Sequence, residues 1–202
     1  MKKVKDHYYK KAKKEGYSAR SVYKLQEIND KKHILKRGQK ILELGAAPGS
    51  WSEYASKMVG DTGLIVGIDL KERTKQIGNN TVFIKGDVYD IQPDEYHKYA
   101  KNYSAVISDM APATTGNKSL DHLGSVGLCE QALFLSLQLV KKNGYLLVKI
   151  FQGGDFQEFV KRMRKHYTKV DIIKPKSSRK ESREIFILGT KKIEPPTDNP
   201  DW

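Results

Sequence analysis

Four charged residues, Lys24, Asp109, Lys149 and Glu184, stand where side chains can do chemistry. Lys149 lies in the run Leu147-Val148-Lys149-Ile150-Phe151-Gln152-Gly153-Gly154. An ammonium group in an apolar strand is costly unless it is paired or partly neutral. The alternation of Leu147, Lys149 and Phe151 puts it on one strand face, and Asp109, ending a neighbouring strand-like run, is placed to hold it. Glu184 opens the last strand-like run directly after Ser182-Arg183. Lys24 lies on the first helical pattern, where by itself it reads as solvated helix surface. Two lysines and two carboxylates around a group donor suit an alcohol acceptor, a weak nucleophile made more reactive by a general base. A desolvated lysine beside another cation has its pKa lowered toward that role.

The donor is read from the strand ends. Glu43-Leu44-Gly45-Ala46-Ala47-Pro48-Gly49-Ser50-Trp51 follows a strand and runs into a helix, and its small residues let the backbone turn tightly against a ligand. The spacing is neither G-x-G-x-x-G nor G-x-x-x-x-G-K-[ST], so a dinucleotide oxidoreductase and an ordinary P-loop hydrolase lose support. Asp69 closes the second strand, 24 residues after Gly45, placed to accept both hydroxyls of a ribose. Asp87 closes the third, where a carboxylate accepts from an adenine amine, and Asp109 closes the fourth. Each aspartate alone is as readily a turn or cap residue. Together, at successive strand ends, they outline one crevice at the switch point of a sheet. A nucleoside without phosphates fits such a crevice, and S-adenosylmethionine is that ligand. Ser108-Asp109-Met110-Ala111-Pro112 lacks the Asn/Asp-Pro-Pro-Tyr/Phe motif of enzymes that methylate base amines. Cys129, the single cysteine, lies in an apolar helical pattern as a small core residue, not in a loop as the nucleophile of a cytosine C5 enzyme.

A regular alternation of elements must position these residues. Strand-like runs cover 40–45, 63–70, 80–87, 103–110, 144–151, 169–173 and 184–190. Helical patterns cover 18–29, with Ser18 as candidate N-cap, 50–59, part of 92–101, 124–142 and 154–166. This predicts an α/β chain with a seven-stranded, mostly parallel sheet and helices on both faces. The polar stretch 174–183 between the last two strands predicts an antiparallel hairpin at one sheet edge. No repeat or domain boundary interrupts the 202 residues, which read as one domain: a basic helical segment 1–38, a catalytic sheet 39–190 and a loose tail 191–202.

The net charge of +13 is concentrated, with +10 in residues 1–40 and +8 in residues 161–183, against −3 between them and −2 in the tail. A near-neutral body flanked by two basic segments predicts a small-molecule core with a rim that binds nucleic acid. Tyr8, Tyr9, Tyr17 and Tyr23 interleave with the first basic segment, where rings serve base stacking or ordinary helix packing alike. One cysteine excludes a disulfide framework or a Cys-rich zinc module, and the five histidines lack ligand spacing, so no metal is expected. No apolar run is long enough for a bilayer, and no apolar stretch follows the basic N-terminus as in a secretory signal. A cytoplasmic monomer without a membrane partner is expected, organellar if its source is a eukaryote.

Five motifs in order carry a resemblance to a known family. They are Asp6-His7-Tyr8-Tyr9 with Gly16-Tyr17-Ser18-Ala19-Arg20-Ser21 and Tyr23-Lys24-Leu25; Gly45-Ala46-Ala47-Pro48-Gly49 with Trp51; Ser108-Asp109-Met110-Ala111-Pro112; Val148-Lys149-Ile150-Phe151-Gln152-Gly153; and Ser182-Arg183-Glu184. The chain is similar, over roughly residues 5–190, to the FtsJ/RrmJ-type RNA ribose 2′-O-methyltransferases. The resemblance implies a Rossmann-like, S-adenosylmethionine-dependent methyltransferase fold and a Lys-Asp-Lys-Glu tetrad, here Lys24, Asp109, Lys149 and Glu184. Lys149 inherits the principal catalytic role, and Lys24 and Glu184 orient the acceptor. The implied cofactor set is Gly45, Ala46, Pro48, Gly49, Trp51, Asp69, Asp87, Val88 and Asp109. Ser50 stands where many members have glycine, and Phe186 where some have tyrosine. The compact form resembles the branch that methylates a uridine ribose in large-subunit ribosomal RNA. A tRNA anticodon-loop methyltransferase is the alternative, and a catalytically silent RNA-binding assembly factor is the alternative of another class.

Overall fold

A computed structural model describes residues 7–73, 75–179 and 181–194. Asp6 of the first motif, three of the N-terminal lysines and the end of the predicted tail lie outside them. Two helices, α1 (His7–Lys14) and α2 (Val22–Lys32), precede the alternating body. There follow β1 (Lys40–Leu44), α3 (Ser50–Val59), β2 (Leu64–Asp69), β3 (Thr81–Lys85), α4 (Pro93–His97), β4 (Tyr103–Ser108) and α5 (Lys118–Leu139). The chain continues through β5 (Val140–Phe151), α6 (Phe156–His166), β6 (Tyr167–Ile173) and β7 (Glu184–Lys192).

The strands form one seven-stranded sheet in the order β3-β2-β1-β4-β5-β7-β6. Neighbours from β3 to β5 are parallel. β7 is antiparallel to both β5 and β6, because no helix follows β6 to carry the chain back across the sheet. The hairpin therefore exists, but its first strand is the outer one, and β7 is inserted between β5 and β6. Every residue of β4 is buried, as expected of a strand covered on both faces. One apolar core joins the sheet to α4, α5 and α6 through Tyr96, Leu135 and Phe159. The other joins it to α1, α2 and α3 through Ala12, Leu25, Ile28 and Ala55. β1 lies between β2 and β4, so the chain winds outward in both directions from it and leaves a crevice at the carboxyl ends of these strands.

Two helix boundaries differ from expectation, each for a local reason. Ser18 does not cap α2; its backbone N–H and hydroxyl donate to the buried Glu53 on α3 at 2.9 and 2.6 Å, and the helix starts at Val22. The long helix spans 118–139 instead of 124–142. It begins early because the Asn117 side chain accepts from the Ser119 and Leu120 N–H groups, while Leu120 and Leu123 are exposed and give its first turns no apolar stripe. At its other end Val140 is already extended and opens β5.

Candidate active site

The crevice at the carboxyl ends of β1, β2, β3 and β4 encloses about 450 Å³, between Gly45, Ala47, Asp69, Asp87, Val88, Asp109 and Met110. Gly45 has φ +78°, and a Cβ there would stand 2.9 Å from Met110 Cγ and 3.0 Å from its backbone nitrogen. Only glycine leaves this floor open. The Asp69 carboxylate accepts from the Ala47 N–H at 2.9 Å and the Lys71 N–H at 2.8 Å, and Asp87 accepts from the Tyr89 N–H at 3.0 Å. Both are thus turn residues and cleft residues at once. Their bound oxygens keep further lone pairs for ligand donors. Gln131 on α5 donates to the Val88 carbonyl at 2.7 Å and fixes the third-strand loop against that helix.

A narrower recess continues from the cleft toward α2, lined by Ser21, Glu43, Gly45, Ala46, Gly49, Ser50, Trp51 and Asp109. The predicted cofactor residues divide between the two spaces: Ala46, Gly49 and Trp51 touch only the recess, while Pro48, after a cis peptide bond, shapes the turn without lining either. Trp51 is 2% exposed and packs away from the main cleft. Its indole Nε1–H donates to the Ser21 carbonyl at 2.9 Å, and its ring lies 5.8 Å from that of Phe186. Glu43 was visible in the first-strand motif but carried no predicted role. It is buried, and burial pushes its carboxyl up to about 8, although the Ser52 hydroxyl donates to it at 2.5 Å. The signal for it was an acidic residue in an otherwise apolar strand.

Beside the cleft the four charged residues meet as two ion pairs. Lys149 Nζ lies 3.0 Å from Asp109 Oδ1 and donates to the Asp109 carbonyl at 2.5 Å. Lys24 Nζ lies 2.7 Å from Glu184 Oε1. Register explains the convergence: Lys149 sits opposite Phe186 and Phe151 opposite Glu184 across the β5–β7 pair. β4 and β5 run side by side to bring Asp109, just beyond Ser108, next to Lys149. Burial alone would raise the Glu184 carboxyl, but Lys24 and, more weakly, Lys149 outweigh it and hold it below the usual carboxylate range. Cys129 is buried, as expected, and its Sγ–H donates to the Lys149 carbonyl at 3.1 Å.

A second pocket of about 430 Å³ opens on the outer side of the Lys24–Glu184 pair and adds Arg20, Arg179, Glu181 and Ser182. Arg20 and Arg179 come from the two basic segments far apart in sequence. The fold joins those segments: Arg20 donates to the Ser177 carbonyl, Glu27 accepts from the Lys176 and Ser177 N–H groups at 2.7 and 2.8 Å, and Lys32 pairs with Asp171 at 3.0 Å. Among the described residues there is no cluster of three metal-ligating side chains, and no helix is long and apolar enough to cross a membrane.

Comparison with known proteins agrees with this architecture. The ribosomal RNA large subunit methyltransferase E of Desulfatibacillum aliphaticivorans is 46% identical over 187 residues, covering 93% of this chain and 90% of its own. Its namesake from Bdellovibrio bacteriovorus is 44% identical, covering 93% and 96%. A Plasmodium falciparum protein described as a ribosomal RNA methyltransferase superposes with a TM-score of 0.77 at 28% identity, over 87% of this chain and 98% of that one. Fibrillarin from Aeropyrum pernix, solved with bound S-adenosyl-L-methionine, shares the fold at a TM-score of 0.58 and 17% identity, over 84% and 76%. Residues 17–192 match the FtsJ-like methyltransferase family, so the seven-stranded sheet with its carboxyl-end cleft is the Rossmann-like methyltransferase fold, and the chain belongs to that family with S-adenosylmethionine as its cofactor.

Proposed function

We propose that this protein methylates the 2′-hydroxyl of a uridine ribose in large-subunit ribosomal RNA. The observation that carries the reading is the pair of ion pairs, Lys149–Asp109 and Lys24–Glu184, at the junction of the cleft and the Arg20–Arg179 pocket. The 42–46% identity to methyltransferases named for large-subunit ribosomal RNA supports the choice of RNA. Asp69, Asp87 and the Gly45 turn hold the cofactor, which supplies an electrophilic methyl group when bound. Lys149 is the principal catalytic residue. Two contacts to Asp109 fix its nitrogen, which would hold the 2′-hydroxyl and take up its proton; the methyl carbon would leave the sulfonium sulfur for that oxygen, and the sulfur would keep the bonding electrons as a neutral thioether. Lys24 and Glu184 hold each other across the acceptor pocket and orient the ribose, and Arg20 and Arg179 take neighbouring phosphates.

The test is transfer of label from S-adenosylmethionine to three substrates: large subunits from a strain lacking such an enzyme, naked ribosomal RNA, and tRNA. The expected product is an alkali-resistant dinucleotide containing 2′-O-methyluridine from ribosomal RNA, absent with Lys149→Ala although that variant binds cofactor. Label only in tRNA would move the substrate to the anticodon loop. Normal turnover by Lys149→Ala would remove its role, and cofactor binding without transfer would leave a silent assembly factor.

A further inference from the structure

Arg20 separates two pockets of different character. On one side is the acceptor pocket, lined by Arg20 itself and Arg179. On the other is a groove of about 380 Å³ between α1, α2 and the segment after β6, lined by Tyr8, Lys11, Tyr23, Gln26, Glu27, Asp30, Lys31 and Lys176. The two share a wall: the Arg20 guanidinium lies 5.5 Å from the Tyr8 ring centroid and donates to the Ser177 carbonyl, next to Lys176. A chain in the acceptor pocket would have this groove on the other side of Arg20.

The lining selects among the parts of a nucleotide. Tyr23 is core, 3% exposed, with its hydroxyl on Glu15 at 2.9 Å and Lys11 over its ring at 4.6 Å. Tyr8 is only half-buried, its ring tilted 43° against that of Tyr23 with centroids 5.4 Å apart, and it lines the groove with part of its aromatic surface. Glu27 spends both carboxylate oxygens on the Lys176 and Ser177 N–H groups and so builds the wall. Asp30 is exposed and brings a second carboxylate to the same space. Lys11, Lys31 and Lys176 line the same groove and are placed for the phosphates that flank a base, while a phosphate set against Asp30 would be repelled. An aromatic base with an exocyclic amine suits the space between Tyr8 and Asp30: a ring face for Tyr8, donors for Asp30.

We propose that this groove binds an unpaired nucleobase carrying an amino group, adjacent to the methylated nucleotide, stacked on Tyr8 and read by Asp30. The proposal rests on RNA being the substrate. It is tested with short single-stranded oligoribonucleotides, each carrying 2-aminopurine at one position, added to the full-length protein. One position is quenched on binding. Tyr8→Ala abolishes that quenching and weakens binding by about 5- to 150-fold, the range for loss of one stacked base, at unchanged cofactor affinity. Tyr8→Phe retains both. Asp30→Asn weakens binding of oligonucleotides with adenine or cytosine at that position and spares those with uridine. Quenching that survives Tyr8→Ala, quenching at no position, or equal loss for uridine with Asp30→Asn overturns the proposal. Methyl transfer on the same proteins separates the two readings. Tyr8-dependent stacking without transfer would overturn the methylation reading alone, and transfer without Tyr8-dependent stacking would overturn the groove alone.

Discussion

At the residue scale, placement rather than residue type decides which charges work together. Lys24 has the sequence context of a solvated helix face, yet only 12% of its side chain is exposed, because Glu184 arrives from the far end of the chain. Ser18, an apparent helix cap, is instead a tether to Glu53, which Lys75 also contacts at 2.6 Å. Pairings of this range leave no local trace in a sequence; the strand-end aspartates do, since each stands within three residues of the end of an apolar run. Glu43 gives a residue-scale prediction. Burial raises its carboxyl to about 8 in the folded chain, so between about 4.5 and 8 the native state keeps a proton that the unfolded state releases. Its contribution to stability is complete below the unfolded value and lost as pH rises through 8. Glu43→Gln removes this loss: thermal melts should show the variant gaining on the wild type from pH 5 to pH 9 by more than about 1 kcal/mol, or ~2–4 °C. A pH-independent difference would mean that Glu43 titrates normally.

At the element scale, Trp51 ties three parts of the site together. Its indole holds the Ser21 carbonyl, which also accepts from the Lys24 N–H at 3.0 Å, and its ring packs on Phe186, the register partner of Lys149. The motif placed Trp51 beside the cofactor turn, but the direction of its side chain depends on α2 packing over α3, which no motif encodes. Trp51→Phe keeps an aromatic ring and loses one buried hydrogen bond worth about 1 kcal/mol, so the midpoint of unfolding should fall by ~2–4 °C. The turnover rate should fall with it while cofactor affinity, measured by titration, holds. An equal loss of cofactor affinity would return the indole to the cofactor's own contacts. The element order itself was legible because each strand is a short apolar run with a glycine, aspartate or asparagine near its end. The early start of α5 was not, because Leu120 and Leu123 lie exposed there and the turns are anchored by polar groups, Asn117 as cap and Asp121 on Thr115, without an apolar period.

At the scale of the whole molecule, the two basic segments read from the sequence become one surface, stitched by Arg20, Glu27 and Lys32 across about 150 residues of chain. Charge counting located the segments; only the insertion of β7 beside β5 explains why the loop before it lies against α2. Replacing Lys31 and Lys176 with glutamine should flatten the dependence of RNA affinity on salt by about 0.7 in log–log slope for each single-strand phosphate lost. Replacing Lys85, at the β3 edge of the sheet, should leave the slope alone. Equal effects from both would spread the RNA-binding surface over the whole protein.

The insertion of β7 also governs when the charged cluster is complete. A chain is made from its N-terminus at roughly 5–20 residues per second, so Lys24, the cofactor turn, Asp109 and Lys149 all leave the ribosome before Glu184. Until β7 follows, β5 and β6 each present an unpaired edge, and such edges invite pairing with other chains. The strand that closes this gap is the one that delivers Glu184 to Lys24. Completion of the sheet and completion of the Lys24–Glu184 pair are therefore one event, and a nascent chain halted before residue 184 lacks that pair and keeps sticky edges.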